Sequence, residues 1–217
     1  YEIYQCDWSS DVCSSDLTAG FSVVTYTGTG ANATVGHGLG IAPSFIIVSA
    51  RNLTHDWCAY HQSIGNTGAV FPNLTNATST SINYWNNTSP TSSVFSIGIA
   101  GGVNNSSSTT YVAYCFAAIA GYSAFGSYTG NGSADGPFVY LGFRPRFILI
   151  KDSSNVDNWQ IFDTSRDPYN ASGHWLWPDR SVAEADYSST YPFDMLSNGL
   201  KLRNGSYPNT KIGRAHV

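Results

Sequence analysis

One stretch of this sequence occurs twice at a fixed spacing, and that repetition limits the fold more than any other feature. Its first copy reads Tyr26-Thr27-Gly28-Thr29-Gly30, then Leu39-Gly40, Pro43, Phe45-Ile46 and Trp57. Its second reads Tyr128-Thr129-Gly130-Asn131-Gly132, Leu141-Gly142, Pro145, Phe147-Ile148 and Trp159, every element displaced by 102 positions without a gap. Of the 34 columns from Tyr26 to Ala59, 10 are identical between the copies, where composition alone would give about two. A period of this length means two structural units built on one plan.

The termini read differently from the rest. Asp11-Val12-Cys13-Ser14-Ser15-Asp16 can be encoded by GAC GTG TGC TCT TCC GAT, whose reverse complement encodes Ile212-Gly213-Arg214-Ala215-His216-Val217. One DNA string read in both senses therefore accounts for both ends. It matches a sequencing-library adapter, and residues 1–17 and 212–217 are expected to be its translation. The native part is then expected to fall into a first repeat, 18–119, and a second, 120–211, that stops before its last strand. If that strand is central, the second unit should carry an open groove with unpaired edges.

Setting the termini aside changes the chemistry on offer. Of 4 cysteines, Cys6 and Cys13 go, and Cys58 and Cys115 remain. Two thiols make no disulfide framework, leaving either one bridge or, more plainly, two buried thiols in strands. The remaining chain carries 10 acids against 9 bases, so no basic field for nucleic acid or an anionic membrane exists. Charged residues are 11% and aromatics 14% of the chain, which excludes disorder driven by charge. Apolar runs such as Phe45–Val48 are far too short to span a bilayer.

In chain order, Phe21–Tyr26, Ala33–Val35, Phe45–Ser49, Trp57–His61, Ser81–Trp85, Val94–Gly98 and Thr110–Phe116 read as strands. Gly, Asn, Ser and Pro turns separate them, notably Asn86-Asn87-Thr88-Ser89-Pro90. The second copy repeats the order through Phe138–Leu141, Phe147–Ile150, Trp159–Phe162 and Leu200–Leu202. No helical periodicity extends over three turns. The expected fold is all-β: two tandem β-sandwich units of jelly-roll-like character, related by the internal repeat.

Tyr128 to Tyr140 reads Tyr-Thr-Gly-Asn-Gly-Ser-Ala-Asp-Gly-Pro-Phe-Val-Tyr, with Gly142-Phe143-Arg144-Pro145 following. With Trp85-Asn86-Asn87-Thr88, Tyr111 to Ala117 and Leu196 to Lys201, this resembles a repeated domain of tail-fibre-like proteins of marine phages, over most of Gly20 to Asn209. The resemblance implies a virion, hence extracellular, setting and other virion proteins as partners. It brings no catalytic residues. Phage fibres are commonly homotrimers, although no coiled-coil or β-helix repeat here specifies one.

The matched Trp57 and Trp159 are expected to anchor the cores. Trp85, Trp175 and Trp177 lie in loop-rich segments. There they either plug the ends of the sandwiches or, with Tyr84 and Asn86, stack on sugars. The acids Asp157, Asp163, Asp167, Asp179, Glu184 and Asp186 fall in the second copy, and nothing in their spacing pairs two of them for glycoside hydrolysis. Asp152, Asn155 and Asp157 lack the spacing of a calcium loop. No nucleotide loop or zinc spacing is present, and no cofactor or metal is implied. The expected function is a non-enzymatic virion module that recognises host-surface glycan. The alternatives are a polysaccharide-degrading tailspike domain and a structural spacer.

Overall fold

The computed structural model of the chain describes residues 12–16, 19–104, 108–209 and 214–216. Among the described residues the regular structure is β-strand apart from two single-turn helices, Ile82–Trp85 and Gly101–Asn104, so the fold is all-β. Among the described residues no helix is long and apolar enough to cross a membrane. The chain divides into two compact units, Tyr1–Phe71 with Thr78–Ile119, and Pro72–Ala77 with Ala120–Val217.

In the first unit five antiparallel strands stand in the order Val12–Asp16, Phe21–Thr27, Thr110–Phe116, Phe45–Ala50, Cys58–His61. Strict alternation puts Val24 and Tyr26, and beside them Tyr111, Ala113 and Cys115, on the inner face. A two-stranded sheet of Ala33–Gly36 and Val94–Ile97 adds Val35, Phe95 and Ile97 to the same core. Cys58 and Cys115 are buried free thiols. Burial pushes the Cys115 thiol up to about 12 and raises that of Cys58 further, so neither ionises near neutrality.

The second unit repeats these connections. Phe147–Asp152 and Gln160–Asp163 coincide end to end with Phe45–Ala50 and Cys58–His61 moved on by 102. Its four-stranded sheet runs Ser127–Thr129, Arg214–His216, Phe147–Asp152, Gln160–Asp163. The central position expected to be open therefore carries a strand. Ala215 pairs with Tyr128 and Asp152 as Tyr111 pairs with Tyr26 and Ala50. A ladder is bonded through main-chain groups that every residue but proline carries, so a slot between two strands accepts any extended segment within reach. A separate sheet of Phe138–Tyr140, Gly199–Leu202 and Phe193–Leu196 brings Phe193, Met195, Leu200 and Leu202 onto Ile148, Ile150 and Phe162.

The repeated Tyr-Thr-Gly-x-Gly is scaffold. Tyr26 donates its hydroxyl to Val103 O at 2.7 Å, and the next residue, Asn104, is wholly buried with its Oδ1 accepting from Thr29 N and Gly30 N. In the second unit Tyr128 donates to Pro208 O at 2.9 Å, and Asn209 Oδ1 accepts from Asn131 N. Gly30 and Gly132 end the motif at φ +69 and +64, a conformation that strains any residue with a Cβ.

Two expectations fail locally. Ser81–Trp85 is a helical turn rather than a strand: Ser81 caps it by accepting from Asn83 N, and Asn86 closes it in the left-handed region at φ 50. The matched tryptophans also part. Trp159 is 3% exposed but Trp57 is 41% exposed, although both precede equivalent edge strands; the Trp57 ring lies nearly parallel to that of Tyr114 at 6.5 Å.

Candidate functional site

Each unit has a recess, and the two occupy equivalent places in the repeat. In the first unit His55, Asp56 and Cys58, just before and on the strand Cys58–His61, line a cavity of about 290 Å³ together with Gly101 and Gly102. In the second unit Asp157, Asn158 and Gln160, each 102 residues on, line one of about 280 Å³ together with Ser206 and Tyr207. Ser206 and Tyr207 follow Gly101 and Gly102 by 105, the interval that also separates Asn104 from Asn209. Both are at the small end for ligand sites. Their linings differ sharply.

The second recess is walled by aromatic rings. The strand pair of His174–Trp175 with Ala185–Asp186 places Trp175 against Tyr187 at 5.0 Å and Tyr191 at 5.5 Å. Trp177 closes the cluster at 6.1 Å from both Trp175 and Tyr187. Arg180, returned by a turn onto Trp177 O, holds its guanidinium 5.3 Å from the centre of the Trp177 ring, a cation–π contact. The main-chain bridge between Leu176 and Ile161 fixes this arm to the sheet.

At the base lies Gln160. It is wholly buried, and neither its Nε2 nor its Oε1 has a hydrogen-bond partner; the indole Nε1 of Trp175, only 5% exposed, has none either. A buried polar group left without a partner costs about 1–3 kcal/mol. The first unit puts the apolar thiol of Cys58 at this position and avoids the cost. Gln160 is thus an expense that packing does not require.

Charge at the recess is balanced. Asp157 and Asp179 are both raised by burial, which outweighs their main-chain hydrogen bonds and the attraction of Lys151. Lys151, itself buried and lowered by that burial, donates to the carbonyls of Thr75, Asp152 and Asn155. Tyr207, raised by burial, donates to Asn158 O.

The structure divides the aromatic residues singled out by sequence. Trp175 and Trp177 line the second recess. Trp85 does not present a stacking face: it is 2% exposed, its Nε1 donates to Gly68 O at 2.9 Å, and its ring packs edge-on against Tyr60. Tyr84 lines the first recess and shares a hydrogen bond with Ser79 Oγ. Asn86 is the left-handed cap of the helical turn. Gln160, Tyr187 and Tyr191 were missed, although the change from Cys58 to Gln160 was visible once the copies were aligned.

The remaining acids are engaged elsewhere. Arg166 bridges Asp163 at 2.7 Å and Glu184 at 2.8 Å. Asp167 accepts from Gly173 N, His174 N and the His174 ring. Asp152 is turned inward onto Ser154 N, Asn155 N and Asn155 Nδ2, an Asx turn rather than an open cation cage. Among the described residues no group of three or more His, Cys, Asp or Glu converges to hold a metal.

One family model, described as a domain of unknown function (DUF7483), matches residues 6–217, and so takes in most of both terminal segments that read as adapter. No curated protein and no solved structure matches the chain.

Proposed function

The chain belongs to the DUF7483 family of domains of unknown function, and we propose from its own residues that it is a non-enzymatic, glycan-binding module of a virion appendage. The observation that carries this is the aromatic recess of the second unit, where Trp175, Trp177, Tyr187 and Tyr191 surround a buried Gln160 carboxamide that no protein group satisfies. Rings of this kind stack on the apolar C–H faces of sugars, while a few fixed polar groups select the hydroxyls. The internal sequence repeat and the division into two compact all-β units support a fibre or decoration module, and we read those units as tandem sandwiches of jelly-roll-like plan. The marine-phage resemblance gives the setting, with other virion proteins and a host-surface glycan as partners.

A glycan array probed with the full chain tests the reading. Binding to a discrete glycan set that Trp177→Ala abolishes supports it. Binding to none leaves a structural spacer. A second reading, polysaccharide cleavage, draws on Asp157 and Asp179, two carboxyls raised by burial beside the recess. It requires release of reducing ends from a bound polysaccharide, lost in both Asp157→Asn and Asp179→Asn.

A further inference from the structure

Resting on the glycan-binding reading above, we infer that the second recess recognises the vicinal hydroxyl pair of a neutral pyranose, gripped by both ends of the Gln160 carboxamide and by the indole N–H of Trp175. A carboxamide presents an N–H donor and a C=O acceptor side by side in one plane. Both of these atoms in Gln160 are buried without a partner, and so is Trp175 Nε1. A ligand group that met all three atoms would supply one donor and accept two.

Three kinds of sugar substituent can be compared with that demand. A lone hydroxyl reaches one end of the carboxamide and leaves the other unmet. A trans acetamido group carries its N–H and C=O on opposite edges, so it too meets one end. Two neighbouring ring hydroxyls lie side by side, one donating to Gln160 Oε1 and the other accepting from Gln160 Nε2. A free lone pair on the pair then accepts from Trp175 Nε1, and all three atoms are satisfied.

The charges at the rim point to a neutral sugar. The cation of Arg180 is already spread over the Trp177 ring, and the carboxyl of Asp157 lines the same recess. An acidic sugar would face that carboxyl at short range. The first unit supplies the contrast within the same chain. At the equivalent positions it has Cys58 for Gln160 and Gly102 for Tyr207, so its recess offers neither the fork nor the ring. Recognition belongs to the second unit alone.

The experiment uses the full chain on a glycan array containing linkage isomers of one sugar, before and after mild periodate, which cleaves the bond between vicinal hydroxyls. Internal residues of 1→3-linked glucans lack a free vicinal pair, whereas 1→4- and 1→6-linked ones have it. Every bound glycan is expected to carry a free vicinal diol on an uncharged ring and to lose at least tenfold in binding after periodate. Gln160→Met, which keeps the volume and removes the fork, is expected to lose at least tenfold on the same glycans while its thermal midpoint holds or rises. A bound glycan without a vicinal diol, or Gln160→Met binding as the parent does, overturns the diol assignment and leaves glycan binding standing. If the parent chain binds no glycan at all, both readings fall. The periodate arm needs no variant, so it decides the matter even if Gln160→Met does not fold.

Discussion

Tyr128 donates its buried hydroxyl to the carbonyl of Pro208, 80 residues away, at 2.9 Å. Tyr26 does the same to Val103 at 2.7 Å, and in each unit the residue after the acceptor is a buried asparagine that clamps the glycine turn following the tyrosine. The repeated motif and its distant asparagine therefore act as one device that pins the start of the sheet to the end of the unit.

That device can be broken on one side only. Asn104 Nδ2 donates to Ala31 O and to Gly98 O at 2.9 Å, besides the bonds its Oδ1 accepts. Asn104→Ala should cost the first unit about 2 kcal/mol, because it removes a wholly buried side chain that ties Thr29 N, Gly30 N and Ala31 O together and leaves the buried carbonyl of Gly98 without that donor. Asn209→Ala should do the same to the second. Urea unfolding followed by the tryptophans of each unit checks both, and a loss below about 1 kcal/mol would show the clamp to be ornamental.

Trp85 and Trp177 should separate stability from recognition. Trp85→Ala empties a wholly enclosed site and should destabilise by about 3–5 kcal/mol while leaving glycan affinity unchanged. Trp177→Ala removes a ring from the recess wall and should cost less than about 1.5 kcal/mol in stability while abolishing binding. Calorimetric melts and titrations on the two variants give the comparison.

Titration with a bound oligosaccharide should return one site per chain. The first unit's recess has the same location, but Cys58, Gly101 and Gly102 line it, and a stoichiometry of two would show that Gln160 and Tyr207 are dispensable.

His174 should make the second unit's stability depend on pH. Its hydrogen bond to Asp167, with the nearby charges of Asp167, Asp186 and Glu184, raises its pKa above the ordinary value of 6.5. The folded unit thus holds the proton more tightly than the unfolded chain. The resulting stabilisation is complete below pH 6.5 and fades as pH rises through the higher folded value. Thermal midpoints between pH 5.5 and about 9 should fall across that window in the parent and fall less in His174→Gln. A midpoint that rises there would reverse the assignment.

Ala215→Pro tests the strand that occupies the central slot of the second sheet. Ala215 pairs with both Tyr128 and Asp152, so proline should interrupt the ladder and cost about 3 kcal/mol. Indifference would mean that the flanking strands do not depend on it.

The repeat, the all-β class and most strand positions were legible in the sequence, as was the grouping of Trp175 and Trp177 in one loop-rich segment. Each is written in local signals: alternation, glycine turns, and aromatic residues set among polar loops. Ser81 as a cap and Asn86 as a left-handed stop were equally local, yet the β-branched and aromatic residues Ile82, Tyr84 and Trp85 between them outweighed them in a strand reading. Only the tertiary structure decided which of two matched tryptophans is covered, since that depends on what lies over the edge strand and not on the residue itself. It likewise brought Gln160 to the base of the recess and showed its amide to be unmet, because whether a polar group is satisfied is settled by neighbours distant in the chain. The sequence determined the scaffold through what the copies share; the site emerged from a position where they differ, once folding had shown which difference is buried.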